Sequence, residues 1–148
     1  GFGTFTVENS TVYGWNFFNL RSDYGSTWEG DFIVRNCTFV PQGGRATTGT
    51  LVGGFNDGQH DFGYVCHMPR RIVFDGLRID DANHPAAYDG PAIFGNFSPK
   101  NTSPAYVEKF PYKITEEVIL RNVTTASGKT VRLSSNPYMF RNVKVVRD

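Results

Sequence analysis

Phe32-Ile33-Val34-Arg35-Asn36-Cys37-Thr38-Phe39-Val40 holds two short strand-like runs separated by one residue. Apolar and polar side chains alternate on either side of it, the period-2 pattern of a half-buried strand. Runs folding back on each other would favour a two-residue loop such as Asn-Gly. A single Asn instead turns the chain through a sharp corner, because Asn and Gly are the residues that enter the left-handed region most cheaply.

The pattern recurs in Val7-Glu8-Asn9-Ser10-Thr11-Val12, Phe74-Asp75-Gly76-Leu77-Arg78-Ile79, Leu120-Arg121-Asn122-Val123-Thr124-Thr125 and Phe140-Arg141-Asn142-Val143-Lys144-Val145. The corner positions Asn9, Asn36, Gly76, Asn122 and Asn142 are 27, 40, 46 and 20 residues apart. A period near 20 with variable insertions reads as a solenoid whose loops leave on one side. Stacked corners predict Asn amides hydrogen-bonded from one turn to the next. Between the corners lies a second set of strand-like runs, at 17–23, 50–57, 92–98 and 130–136, so each coil is expected to hold three strands. The inward positions are Leu20, Phe32, Val34, Phe39, Leu51, Ile72, Phe74, Leu77, Ile79, Ile93, Val118, Leu120, Val123, Val131, Leu133, Phe140 and Val143. Cys37 falls among them as a small hydrophobe. Cys66 lies in a loop, and the different surroundings argue against a disulfide. No CxxC or HxxxH spacing offers a metal pair.

Composition agrees with this reading. The 148 residues suffice for one domain with a core, and 15% aromatics with 16 Gly favour an all-β protein. A net charge of +1, with signs mixed along the chain, gives no electrostatic case for nucleic acid or an anionic membrane surface. No stretch approaches the roughly 20 apolar residues of a membrane span, and no basic-plus-apolar leader is read.

The corner residues Asn9, Asn36, Asn122 and Asn142, with Gly76 as a variant, resemble the stacked corners of the pectin lyase-like superfamily over essentially the whole chain. The resemblance implies an all-β, right-handed parallel β-helix (solenoid) of about five coils, with long loops on one side and a single domain over residues 1–148. The chain enters strand-like sequence at Phe5 without a capping helix. It therefore reads as the C-terminal portion of a longer β-helix, its N-terminal edge covered by preceding coils or another chain. The resemblance further implies a secreted, periplasmic or cell-surface protein acting on an extended polysaccharide, as a lyase or glycoside hydrolase. A non-catalytic glycan-binding or surface scaffold and a trimeric phage-type spike are the alternatives, since fold does not dictate function.

Function concentrates on loops held by a rigid scaffold. The loops at 24–30, 58–69 and 99–115 all follow the second strand set and are expected to stack into a shared wall. The stretch 56–71 is densest in reactive groups. A lyase needs a base and a cation for the substrate carboxylate: His67 or Tyr64 with Arg70 or Arg71 supply these types. A hydrolase needs two carboxylates, for which Asp23, Asp57 and Asp61 are available. Catalytic candidates are thus Asp57, Asp61, His67 and Arg70. Substrate-binding candidates are Arg21, Asp23, Tyr24, Trp28, His60 and Tyr64, with Glu29 beside them. Tyr24 and Trp28 suit a stacking platform, against Trp28 as a plug on the body. The same loops also read as plain polar turns. In the third loop Lys100, Tyr106, Lys109, Tyr112 and Lys113 form a semi-rigid flap. Alternation places Asn19, Arg21, Asp23, Asn56, Asn96, Ser98, Arg132 and Ser134 on the outer face of the second strand set. No cofactor is called for. In Asp80-Asp81-Ala82-Asn83-His84-Pro85, a Ca²⁺ loop is the alternative to a plain turn.

Overall fold

Asn9, Asn36 and Asn122 adopt positive φ of 56°, 50° and 53°, and Gly76 takes 75°. Each is a corner of the kind expected. The Asn36 amide donates to Asn9 Oδ1 at 2.8 Å. These positions come from a computed structural model that describes residues 1–20, 26–42, 49–54, 61–98, 102–108 and 110–148. Among the described residues there are strands and turns but no helix.

The strands are β1 (Phe5–Glu8), β2 (Thr11–Gly14), β3 (Asn16–Leu20), β4 (Asp31–Pro41), β5 (Thr50–Gly54), β6 (Cys66–His67), β7 (Arg71–Ile79), β8 (Ala92–Phe94), β9 (Tyr112–Lys113), β10 (Glu117–Thr125), β11 (Arg132–Ser134) and β12 (Lys144–Arg147). A first sheet runs β1-β4-β7-β10-β12, with β2 also on β4. A second runs β3-β5-β8-β11, and β6 pairs with β9. Every pairing is parallel. The chain alternates between the first two sheets, and one register runs through each. Phe5, Phe32, Ile72, Val118 and Val145 stand side by side in the first, and Phe18, Val52, Phe94 and Ser134 in the second.

The fifth expected corner is not one. Asn142 sits in a turn, and its φ is not among the positive values. Strand β12 pairs Lys144 with Glu117 and Val145 with Val118, so the last segment supplies the strand that precedes a corner. The final repeat is therefore 27 residues, not 20. Charge pins this register. Asp31, Arg71, Glu117 and Lys144 lie opposite one another with alternating sign, as do Glu8, Arg35, Asp75 and Arg121. Each exposed pair contributes little, but a one-residue slip would break the alternation and turn apolar side chains outward.

The core fills the space between the two large sheets. Most of the expected inward residues are buried; Leu20, Val123, Leu133 and Val143 are only partly buried and pack against the rest. Alternation fails at Phe17 and Phe18, which both turn inward: Phe17 meets Phe39 edge-on at 5.8 Å, and Phe18 stacks on Phe32 at 4.0 Å. Phe140, fully buried, stacks on Phe94 at 4.3 Å and meets Phe97 edge-on. Cys37 and Cys66 are buried free thiols, Cys66 opening the short strand β6. Beyond the corners, Asp81 is 1% exposed and binds two turns together. Its Oδ1 accepts from the Ser127 amide, and its Oδ2 from the Tyr88 and Ser127 hydroxyls, at 2.7–2.8 Å. Burial works to raise the Asp81 carboxyl, but these hydrogen bonds outweigh it and hold the group below the usual carboxylate range.

Candidate functional site

The loops that follow the second sheet lie side by side. The His67 amide donates to the Ser26 carbonyl at 2.9 Å, and the Met68 amide to the Lys113 carbonyl at 2.9 Å. Strand β6 thus joins the first loop to the third, and His67 is held between Glu29 and Lys113. His67 Nε2 is 3.2 Å from Glu29 Oε2, with the two side chains 15% and 29% exposed. Glu29 enters from a tight approach: a side chain at Gly30 would collide with the Gly3 carbonyl and the Trp28 indole.

A small recess of about 40 Å³ joins Glu29, His67, Arg70, Lys113 and Glu116. The Arg70 amide donates to the Gly30 carbonyl, and the Glu116 amide to the Arg70 carbonyl, which fixes the backbone beneath the recess. Asp31, below it, takes a 2.7 Å bond from Arg71 and lies 3.7 Å from Arg70. A carboxylate on Nε2 selects the tautomer with its hydrogen there and leaves Nδ1 as the proton acceptor. The recess therefore combines an oriented imidazole with two cations.

Of the expected site residues, the structure brings His67 and Arg70 to this recess. Asp61 and Tyr64 are exposed and do not line it. Asp61 Oδ1 accepts from the Gly63 amide at 2.9 Å, and the Tyr64 ring lies 6.1 Å from that of Phe62. Trp28 is partly buried, its indole donating to the Gly3 carbonyl at 2.7 Å and its ring 6.3 Å from Phe32. Arg21, Asp23, Tyr24, Asp57 and His60, with Asn56, Lys100 and Lys109, lie outside the described residues. Sequence reasoning placed Glu29 only beside the substrate-binding candidates and left Glu116 unread. Glu29 and His67 are far apart along the chain, and only loop stacking pairs them.

The outer face of the second sheet carries a cleft of about 490 Å³ lined by Asn16, Asn19, Thr50, Gly53, Gly54, Gly95 and Asn96. Asn16 donates its amide to Asn19 Oδ1 at 3.0 Å, and the pair rests where a side chain at Gly53 would stand. Asn136 Nδ2, buried just beyond β11, donates to Asn96 Oδ1 at 3.0 Å. Asn19 and Asn96 are exposed as expected. Ser98 and Ser134 are buried instead, the Ser134 hydroxyl donating to the Gly95 carbonyl at 3.3 Å, and Arg132 is half-buried.

Among the described residues no three His, Cys, Asp or Glu side chains group as metal ligands. The carboxylate of Asp81 is occupied by Tyr88 and Ser127. Among the described residues no helix is long and apolar enough to cross a membrane. Comparison with models of protein families, with curated proteins and with solved structures returned no match.

Proposed function

We propose that this chain is a right-handed parallel β-helix of about five coils, of the pectin lyase-like kind, acting outside the cytoplasm as a lyase on an extended uronate-bearing polysaccharide. The single register through both large sheets supports the coil reading. The observation that carries the activity is the Glu29–His67 pair at 3.2 Å with Arg70 and Lys113 on the same recess. In this reading Arg70 and Lys113 neutralise the uronate carboxylate, which acidifies the adjacent C–H. His67 takes that proton at Nδ1 while Glu29 holds its Nε2–H. The C–H electrons form a carbon–carbon double bond, the glycosidic C–O bond breaks, and the leaving oxygen takes a proton from water, while the proton held on His67 is later released to solvent. The amide-lined cleft on the second sheet carries the rest of the polymer.

The test is a panel of acidic and neutral polysaccharides, read by the absorbance of an unsaturated product and by reducing ends. Both signals are expected on uronate polymers, and His67→Asn should lower them at least about 100-fold without loss of fold. Reducing ends without unsaturation would replace the lyase with a hydrolase. One observation favours a second reading, a glycan-binding scaffold: the cleft is lined by Asn, Thr and Gly, with neither acid nor base. Retention on immobilised polysaccharide without product, lost in Asn19→Leu, would establish it.

A further inference from the structure

The strands of the first sheet repeat one pattern on their outer face. There β4 carries Asp31, Ile33 and Arg35, and β7 carries Arg71, Val73 and Asp75. β10 carries Glu117, Ile119 and Arg121, and the last segment carries Lys144, Val146 and Asp148. In β4, β7 and β10 these positions alternate with Phe32, Val34, Ile72, Phe74, Val118 and Leu120, which fill the core, so they point away from it. All of them lie among the described residues. Each strand thus has an apolar residue at its centre, with an acid two positions to one side and a base two positions to the other. Pairing stacks the centres into one row, Ile33, Val73, Ile119 and Val146, with Thr6 at its end. Val73 is 8% exposed, while Ile33, Ile119 and Val146 are open enough to meet a partner.

The order of the signs reverses from strand to strand. The acid leads in β4 and β10, the base in β7 and β12. Ion pairs along the sheet use this reversal, Arg71 with Asp31 at 2.7 Å and Lys144 with Glu117 at 3.7 Å on one flank, Arg121 with Asp75 at 3.6 Å and with Asp148 at 3.3 Å on the other. Those contacts leave the relation between the two ends of one strand free, since these ends are about 13 Å apart. The opposite signs found there make the face self-complementary. A two-fold axis laid along the apolar row sets every strand against its own copy in the reverse direction. Arg35 then faces the partner's Asp31, Asp75 the partner's Arg71, Arg121 the partner's Glu117 and Asp148 the partner's Lys144, while Ile33, Ile119 and Val146 pack on their own copies. An axis along β7 instead sets Arg71 on the partner's Arg71 and Asp31 on the partner's Glu117, and like charges brought together cost several kcal/mol.

We propose that two copies of the chain associate through this face, about a two-fold axis that follows the row from Thr6 to Val146. The face measures about 19 by 13 Å from strand spacing and rise. That is at the low end of specific interfaces, so the dimer is a weak one.

Sedimentation equilibrium of the full chain from about 10 μM to 1 mM tests this. The mass should rise from 16.6 kDa towards twice that value. Glu117→Arg and Arg121→Glu should each weaken association at least about tenfold, because each sets like charges face to face twice. Their equimolar mixture should recover the dimer, since the arginines of one variant then face the glutamates of the other. Only the proposed axis gives this rescue: an axis between β7 and β10 would set residue 117 against the partner's Arg71, and mixing would change nothing. Both substitutions are at surface positions, and circular dichroism with urea midpoints checks the fold. Ile119→Thr keeps a β-branched residue in the strand, should also weaken association, and carries the test if a charge variant fails to fold. A wild type that stays monomeric to 1 mM or forms trimers, folded variants that associate like wild type, or a mixture that stays as weak as its components would overturn the proposal.

Discussion

Asp81→Ala removes a carboxylate that takes three hydrogen bonds. All three donors lose their acceptor, and the Ser127 hydroxyl keeps only the bond it accepts from the Lys129 amide at 3.2 Å; partly exposed, it can donate to water instead. Tyr88 is 7% exposed, so its hydroxyl bears most of the cost of an unpaired buried donor. The Ser127 amide is nearer solvent, and water replaces part of its bond. At about 1–3 kcal/mol per buried unpaired group, the loss comes to about 2–4 kcal/mol. For a chain of this length that lowers Tm by about 4–16 °C. Asp80→Ala is the control: Asp80 is exposed, its nearest cation Arg78 is 4.0 Å away, and its loss should stay within about 0.5 kcal/mol. Urea unfolding at a series of pH values adds a second readout. The folded carboxyl lies below its unfolded value of 3.8, so the native state holds fewer protons there. Stability from Asp81 is complete above that value and disappears as pH falls through the folded value. The gap between wild type and Asp81→Ala should therefore be widest at neutral pH and shrink in acid. A gap that stays constant down to strong acid, or an Asp81→Ala midpoint equal to wild type, would refute the assignment of Asp81 as a charged clamp.

Gly76→Ala should cost about 1–2 kcal/mol, because a Cβ at φ 75° is strained and would press on the Asn36 amide nitrogen at 3.3 Å. Gly76→Asn should cost less, since Asn occupies the three other corners; the order of urea midpoints checks both. Phe140→Ala should cost about 3–5 kcal/mol, as Phe140 is fully buried between Phe94 and Phe97. The sequence already placed Phe140 among the inward positions, and its full burial sets the size of the loss.

The corners at Asn9, Asn36, Gly76 and Asn122 were legible because a left-handed residue between two strands is a local requirement. Asn142 was misread for the same reason: Phe-Arg-Asn-Val-Lys-Val looks locally like Leu-Arg-Asn-Val-Thr-Thr. What distinguishes it is non-local, the stacking of Phe140 on Phe94 and the pairing of Lys144 with Glu117. The alternating charges Asp31, Arg71, Glu117 and Lys144 were a signal in the sequence that would have found the register. Phe17 and Phe18 defeated the period-2 rule because each finds an aromatic partner from β4, Phe39 for the one and Phe32 for the other. At the candidate site the residue types of His67 and Arg70 were readable, but the partnership of His67 with Glu29 was not. It depends on how the chain between sheets packs, which no periodicity encodes. Asp81 read as one acid in a polar turn because its partners Tyr88 and Ser127 lie in two other turns.

Phe5, Phe32, Ile72, Val118 and Val145 stand in one row although 27, 40, 46 and 27 residues separate them. The extra length of the middle two intervals is taken up wholly between the sheets, without disturbing a single pairing. Such a frame is indifferent to what is spliced between its strands. It can lengthen, lose or exchange a loop and keep its body, so a lineage built on it can change what it recognises faster than it changes its shape. For the engineer, the intervals between β5 and β7 and between β8 and β10 are natural sockets for grafted peptides.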